Sequence, residues 1–121
     1  MKRLSRILIA FVALEHLGIL VIEMFLWDKP FGLDAFHNTL DAAKASATLA
    51  GNQGLYNGLL AAGLLWSLFQ GRRDTKLFFL GCVVVAGVYG AATAFASILF
   101  VQALPAAIGF AVTLMAEPRD A

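Results

Sequence analysis

Residues 77–116 read LFFLGCVVVAGVYGAATAFASILFVQALPAAIGFAVTLMA, without one charged side chain. A helix that crosses a bilayer needs about 20 mostly apolar residues, and this stretch is about twice that. It therefore predicts a tight helical hairpin. One span covers about 77–95, the chain turns near Ala94 to Ser97, and a second span covers about 98–116. Glu117 and Pro118 end it. Pro105 sits inside the last span, where its missing N–H predicts a kink.

Two further apolar stretches lie upstream, at about 7–27 and 49–69. Over the 121 residues, 60% are hydrophobic and 14% charged. A soluble domain carries about 25% charged residues, so the excess apolar surface calls for lipid. The basic start, Met1 to Arg6, has the look of a signal peptide, but Glu15 and His16 interrupt its apolar run and no A-x-A site follows. The reading is a retained first span. The expected fold is all-α: a single transmembrane domain over 1–121, built as an integral membrane four-helix bundle. The expected first extracytoplasmic loop, 28–48, places Phe36, Leu40, Ala43 and Ala47 at helical spacing, with Asp34, His37, Asp41 and Lys44 on other faces. It predicts a short amphipathic helix on the membrane surface.

Cation placement sets the orientation. Lys2, Arg3, Arg6, Arg72, Arg73, Lys76 and Arg119 share one side, against Lys29 and Lys44 on the other. Both termini are expected in the cytoplasm, in a multi-pass protein of a bacterial inner (plasma) membrane. A net charge of +1 gives no reason to expect nucleic acid. The lone thiol, Cys82, lies in an apolar run and reads as a small hydrophobe.

Ionisable side chains inside a bilayer are costly and mark function by default. Glu15, His16 and Glu23 share an arc of span one about 100° wide. In span two, Asn52, Gln53, Tyr56 and Asn57 fall within about 140°, while Gly54, Gly58 and Ala62 form a separate stripe of the GxxxG type. Span three offers Tyr89 and Thr93, and span four Gln102, one turn before Pro105. By depth, Glu23, Asn52 and Gln102 fall about 4–6 Å below the outer ends of their spans, Tyr89 and Asn57 about 9–12 Å, and Glu15 and His16 about 16–18 Å. The pattern predicts a polar wedge entering from the outer face and ending at Glu15 and His16.

The stretches Ala13-Leu14-Glu15-His16, Asn52-Gln53-Gly54-Leu55-Tyr56-Asn57-Gly58, Val88-Tyr89-Gly90-Ala91-Ala92-Thr93 and Val101-Gln102-Ala103-Leu104-Pro105-Ala106 resemble the domain of unknown function 1304 family. These are small bacterial and fungal membrane proteins. The resemblance covers nearly the whole chain, and its span-two motif is the specific part. It implies four spans and supplies no activity.

The leading functional expectation is an intramembrane site for a small lipophilic molecule, with acid–base chemistry of the isomerase or hydrolase/hydratase type. Glu15, His16 and Glu23 are its candidate catalytic residues. Asn52, Gln53, Tyr56, Asn57, Tyr89, Thr93 and Gln102 are candidates to orient the ligand. One alternative is a small proton-coupled transporter, matched in architecture only. Another is a structural or assembly protein without ligand, since Asn, Gln and Tyr commonly join helices in membranes and the Gly54/Gly58 stripe suits a homo-oligomer. A metal site is not expected: His16 and Glu23 lie about 10 Å apart along the helix. No cofactor is expected, and the expected partner is membrane lipid.

Overall fold

The computed structural model describes residues 1–120. Its elements are α1 (Lys2–Phe25), α2 (Pro30–Ala35), α3 (Leu40–Gln70), α4 (Arg73–Thr93), a π-helical segment (Leu99–Ala103) and α5 (Leu104–Ala116), which continues from it. The four long pieces form a ring in which α1 packs on α3 and α5, and α4 packs on α5, the π segment and α3. Their common core is Ile9, Val12 and Ala13 of α1, Leu64 of α3, Leu80 and Val83 of α4 and Ala106 of α5.

The outward surface is apolar. Phe69 is 91% exposed, and Leu14, Phe25, Phe78, Val85 and Met115 are exposed with it. Such a coat suits lipid rather than water. The helices α1, α4 and Leu99–Ala116 are each long and apolar enough to cross a membrane. The 31 residues of α3 span about 46 Å, but Asn52, Gln53, Asn57 and its glycines dilute its apolar character.

The first loop departs from the expected single amphipathic helix. It contains the short α2, opened by Pro30 at the first helical position, where a missing N–H costs nothing. The Phe36–Ala47 periodicity does not form one helix. His37 takes a left-handed φ of 52°, its N–H meets Asp34 O, and the N–H of Asn38 meets Leu33 O, which closes α2. Thr39 then opens α3, its Oγ1 accepting from the N–H of Ala42 at 3.2 Å. Leu40, Ala43 and Ala47 therefore belong to the first turns of α3. Trp27 ties this overhang to the end of α1 by donating Nε1–H to Ser46 Oγ at 3.1 Å, and its ring meets that of Phe36.

Without a hydrophobic force between helices in lipid, close packing and hydrogen bonds must hold such a bundle. Glycines provide the packing. A Cβ on Gly54 would lie 2.6 Å from Met24 Cγ and 3.1 Å from Glu23 Cβ, and one on Gly58 would meet Leu20. Gly54 and Gly58 of the small-residue stripe are thus occupied by α1 of the same chain, while Ala62 is exposed. A Cβ on Gly87 would lie 2.8 Å from the backbone nitrogen of Ala103, so α4 and the π segment run backbone to backbone.

Candidate functional site

His16 and Gln102 meet across α1 and the π segment. His16 is fully buried, and its Nδ1 lies 2.8 Å from Val12 O. A carbonyl only accepts, so Nδ1 carries the proton. Nε2 then accepts from the amide nitrogen of Gln102, 2.9 Å away. Both ring nitrogens of a neutral imidazole are engaged. The segment that presents Gln102 is π-helical, with the N–H of Leu104 bonding five residues back to Leu99 O. Pro105 follows directly. It cannot donate to Val101 O, which favours the wider turn at this point.

Glu23 and Asn57 form a second pair, between α1 and α3. Glu23 is buried, and its Oε1 accepts from Asn57 Nδ2 at 2.6 Å. The same amide nitrogen donates to Gln53 O at 3.1 Å. Gly54 makes the pair possible, because its missing Cβ lets α3 close on the Glu23 stem.

Glu15 stands apart from both. Its Oε1 is shielded and has no hydrogen-bond partner among the described residues. It follows Leu8 by two turns, about 20° off the same line. Leu8 faces Gly109 of α5, whereas Leu20 and Glu23 face α3. Glu15 is about 80° round α1 from Glu23 and takes no part in the Glu23–Asn57 pair.

The remaining candidates lie on α3 and α4. These helices meet where Gly63 receives the ring of Phe79, and where Thr75 Oγ1 donates to Gln70 Oε1 at 3.3 Å. Tyr56 and Asn52 continue the Gly63 line to within about 20°, and Ala86 and Thr93 continue the Phe79 line to within about 40°. All four are exposed, Tyr56 by 60%. Gln53 lies within about 20° of the inward line of Leu60 and Leu64, yet it too is exposed. Toward the loop end, these positions show no tight packing between α3 and α4. Tyr89 is 71% exposed, and Thr93 Oγ1 donates to Tyr89 O at 2.8 Å. On this part of α4, Ala86 is exposed, while Gly87 and Gly90 are taken up by Ala103 and Ile98.

The opposite end of the bundle holds a network that no sequence motif announced. Lys76 Nζ lies 2.8 Å from both oxygens of Glu117, with both side chains less than a tenth exposed. Ser5 Oγ donates to Glu117 Oε1 at 3.1 Å, so the 2.6 Å contact between Ser5 and Thr113 is a donation from Thr113. Asp120 accepts the N–H groups of Arg73 and Asp74 at 3.2 and 2.8 Å, capping α4. Those N–H bonds, that of Asp74 first, hold its carboxyl below the usual range. The only signal available in advance was polarity at matching helix ends, Ser5 and Thr113. Nothing local linked Lys76 to Glu117.

Among the described residues, no cluster of three or more His, Cys, Asp or Glu is placed to hold a metal ion. Apolar helices, a lipid-suited coat and polar pairs inside define a multi-pass helical membrane protein. The chain belongs to the family described as "Protein of unknown function (DUF1304)", which matches residues 10–114. It is similar to the uncharacterized protein YpaA of Lactococcus lactis subsp. lactis (strain IL1403). The two are 29% identical over 106 residues, which cover 84% of this chain and 89% of that protein. No solved structure matches the chain.

Proposed function

We propose that the chain crosses the membrane four times, with both termini cytoplasmic, and binds a small lipophilic molecule in the seam between α3 and α4. One observation carries the reading. The residues that continue the α3–α4 packing lines are exposed toward the loop end, and several of them are polar: Asn52, Tyr56 and Thr93, with Gln53 alongside. Thr93 Oγ1 is already bonded to Tyr89 O, but amide and hydroxyl groups facing hydrocarbon, such as those of Asn52, Gln53 and Tyr56, are costly, so an occupant that satisfies them is favoured. An approach between α3 and α4 would suit a ligand that arrives through the bilayer. Its polar end would meet Gln53 and Asn57, and its apolar body would lie along Ala86. The Glu23 carboxyl, already held by Asn57, is the acid–base group nearest that position. Chemistry of the isomerase or hydratase type would start there.

A second reading has its own support. The His16–Gln102 and Glu23–Asn57 pairs are closed by direct hydrogen bonds, as helix-joining pairs would be. The test is mass spectrometry of small molecules that co-purify with the protein in native lipid, compared with Gln53→Leu and Glu23→Gln variants. A species held by the parent and reduced at least tenfold in both variants is expected. Identical profiles in all three would overturn the ligand reading and leave a structural bundle.

A further inference from the structure

We propose that the basic end of the bundle carries a site for one anionic phospholipid, seated between the start of α1 and the end of α3. A cavity of about 570 Å³ opens there, lined by Lys2, Arg3, Arg6, Ile7, Ala10 and Leu68. Its lining is ordered by depth. The three cations occupy the first turns of α1, while Ala10 lies about 6–12 Å further along the axis than they do. Leu68 of α3 closes the apolar wall. Charge above and hydrocarbon below match a phosphodiester headgroup and the first part of its acyl chain.

The cations are free to take an anion. Among the described residues the ion pairs are Lys29 with Asp28 and Lys76 with Glu117, so none of the three is neutralised inside the protein. No carboxylate lines the cavity. A second cavity of about 420 Å³ at the same end shares Lys2 and Arg6 but includes Glu117 and Asp120. Those carboxylates are already committed, to Lys76 and to the α4 backbone. Seven cations against three carboxylates leave this end net positive. This site is separate from the α3–α4 seam, and its fate does not depend on the seam having a ligand.

The test compares lipid retention by native mass spectrometry. The full chain is reconstituted in vesicles of equal parts phosphatidylglycerol and phosphatidylcholine. The variants are Arg3→Gln, Arg6→Gln, the double variant and Arg72→Gln. Arg72 lies at the same end and is exposed, but it does not line the cavity. The parent is expected to retain one phosphatidylglycerol in preference to phosphatidylcholine. Each single variant in the cavity is expected to weaken retention about fivefold, the double variant about twentyfold or more, and Arg72→Gln hardly at all. Equal retention of the two lipids would overturn the proposal. So would an Arg72→Gln loss as large as that of Arg6→Gln, which would show general charge attraction. Full displacement of the lipid by millimolar inorganic phosphate would also overturn it, since the anion alone would then account for binding.

Discussion

Replacing Gln102 by Leu removes the one donor that reaches His16 Nε2, at 2.9 Å. The ring is fully buried, so no water replaces the lost amide, while Nδ1–H keeps Val12 O. An acceptor left unpaired in a protein interior costs about 1–3 kcal/mol. Hydrogen bonds between membrane helices average only about 0.6 kcal/mol, with a maximum near 1.7, because the unfolded chain in lipid also finds partners. Burial and the 2.9 Å geometry favour the upper part of that lower range, so Gln102→Leu should cost about 1–1.5 kcal/mol. Removing both partners should not cost the sum. A His16→Leu/Gln102→Leu double variant leaves Val12 O as in an ordinary helix and places two apolar groups face to face. A coupling energy of about 1 kcal/mol is expected in the double-mutant cycle, read from reversible unfolding in mixed detergent micelles. Strict additivity within about 0.3 kcal/mol would refute the clamp between α1 and the π segment.

Three other expectations follow from named contacts. Gly87→Ala forces α4 away from Ala103, where the new Cβ would lie 2.8 Å from backbone, and should lower stability by about 1–3 kcal/mol in the same unfolding assay. Lys76→Met strands a buried carboxylate at Glu117 and should cost about 3–5 kcal/mol, while Lys76→Met with Glu117→Leu should recover most of the loss. Asp120 has a folded pKa below its ordinary value, so its hold on the α4 N-terminus is present above pH 3.8 and is lost as pH falls through the lowered value. Asp120→Asn should reproduce the acid state at neutral pH, seen as faster hydrogen exchange at the amides of Arg73 and Asp74.

The helical architecture was legible because a long uncharged run has few ways to exist. Residues 77–116 could only be paired apolar helices, and the turn at 94–98 lies between α4 and the π segment. The loop was misread in detail because periodicity cannot see a left-handed residue. His37 and the Thr39 cap divide a pattern that looked continuous from Phe36 to Ala47. Within the candidate site, the sequence named the two residues of each polar pair but not the pairing. Glu23 reaches Asn57 only because Gly54 admits α1, and Gln102 reaches His16 through a π turn that Pro105 favours. Glu15 was grouped with His16 by an arc on one helix. Which helix each side chain of that arc meets depends on the ring order of the helices, which no single span encodes. The Lys76–Glu117 pair was invisible for the same reason, being a contact between the start of one helix and the end of another.

The most direct test of the open seam is a high-resolution density map of the protein in nanodiscs formed from its native membrane. The account expects α3 and α4 to part beyond Gly63 and Phe79, with non-protein density against Gln53 and Asn57. A map in which Tyr56 packs on Ala86, and α3 and α4 touch along their full length, would contradict it.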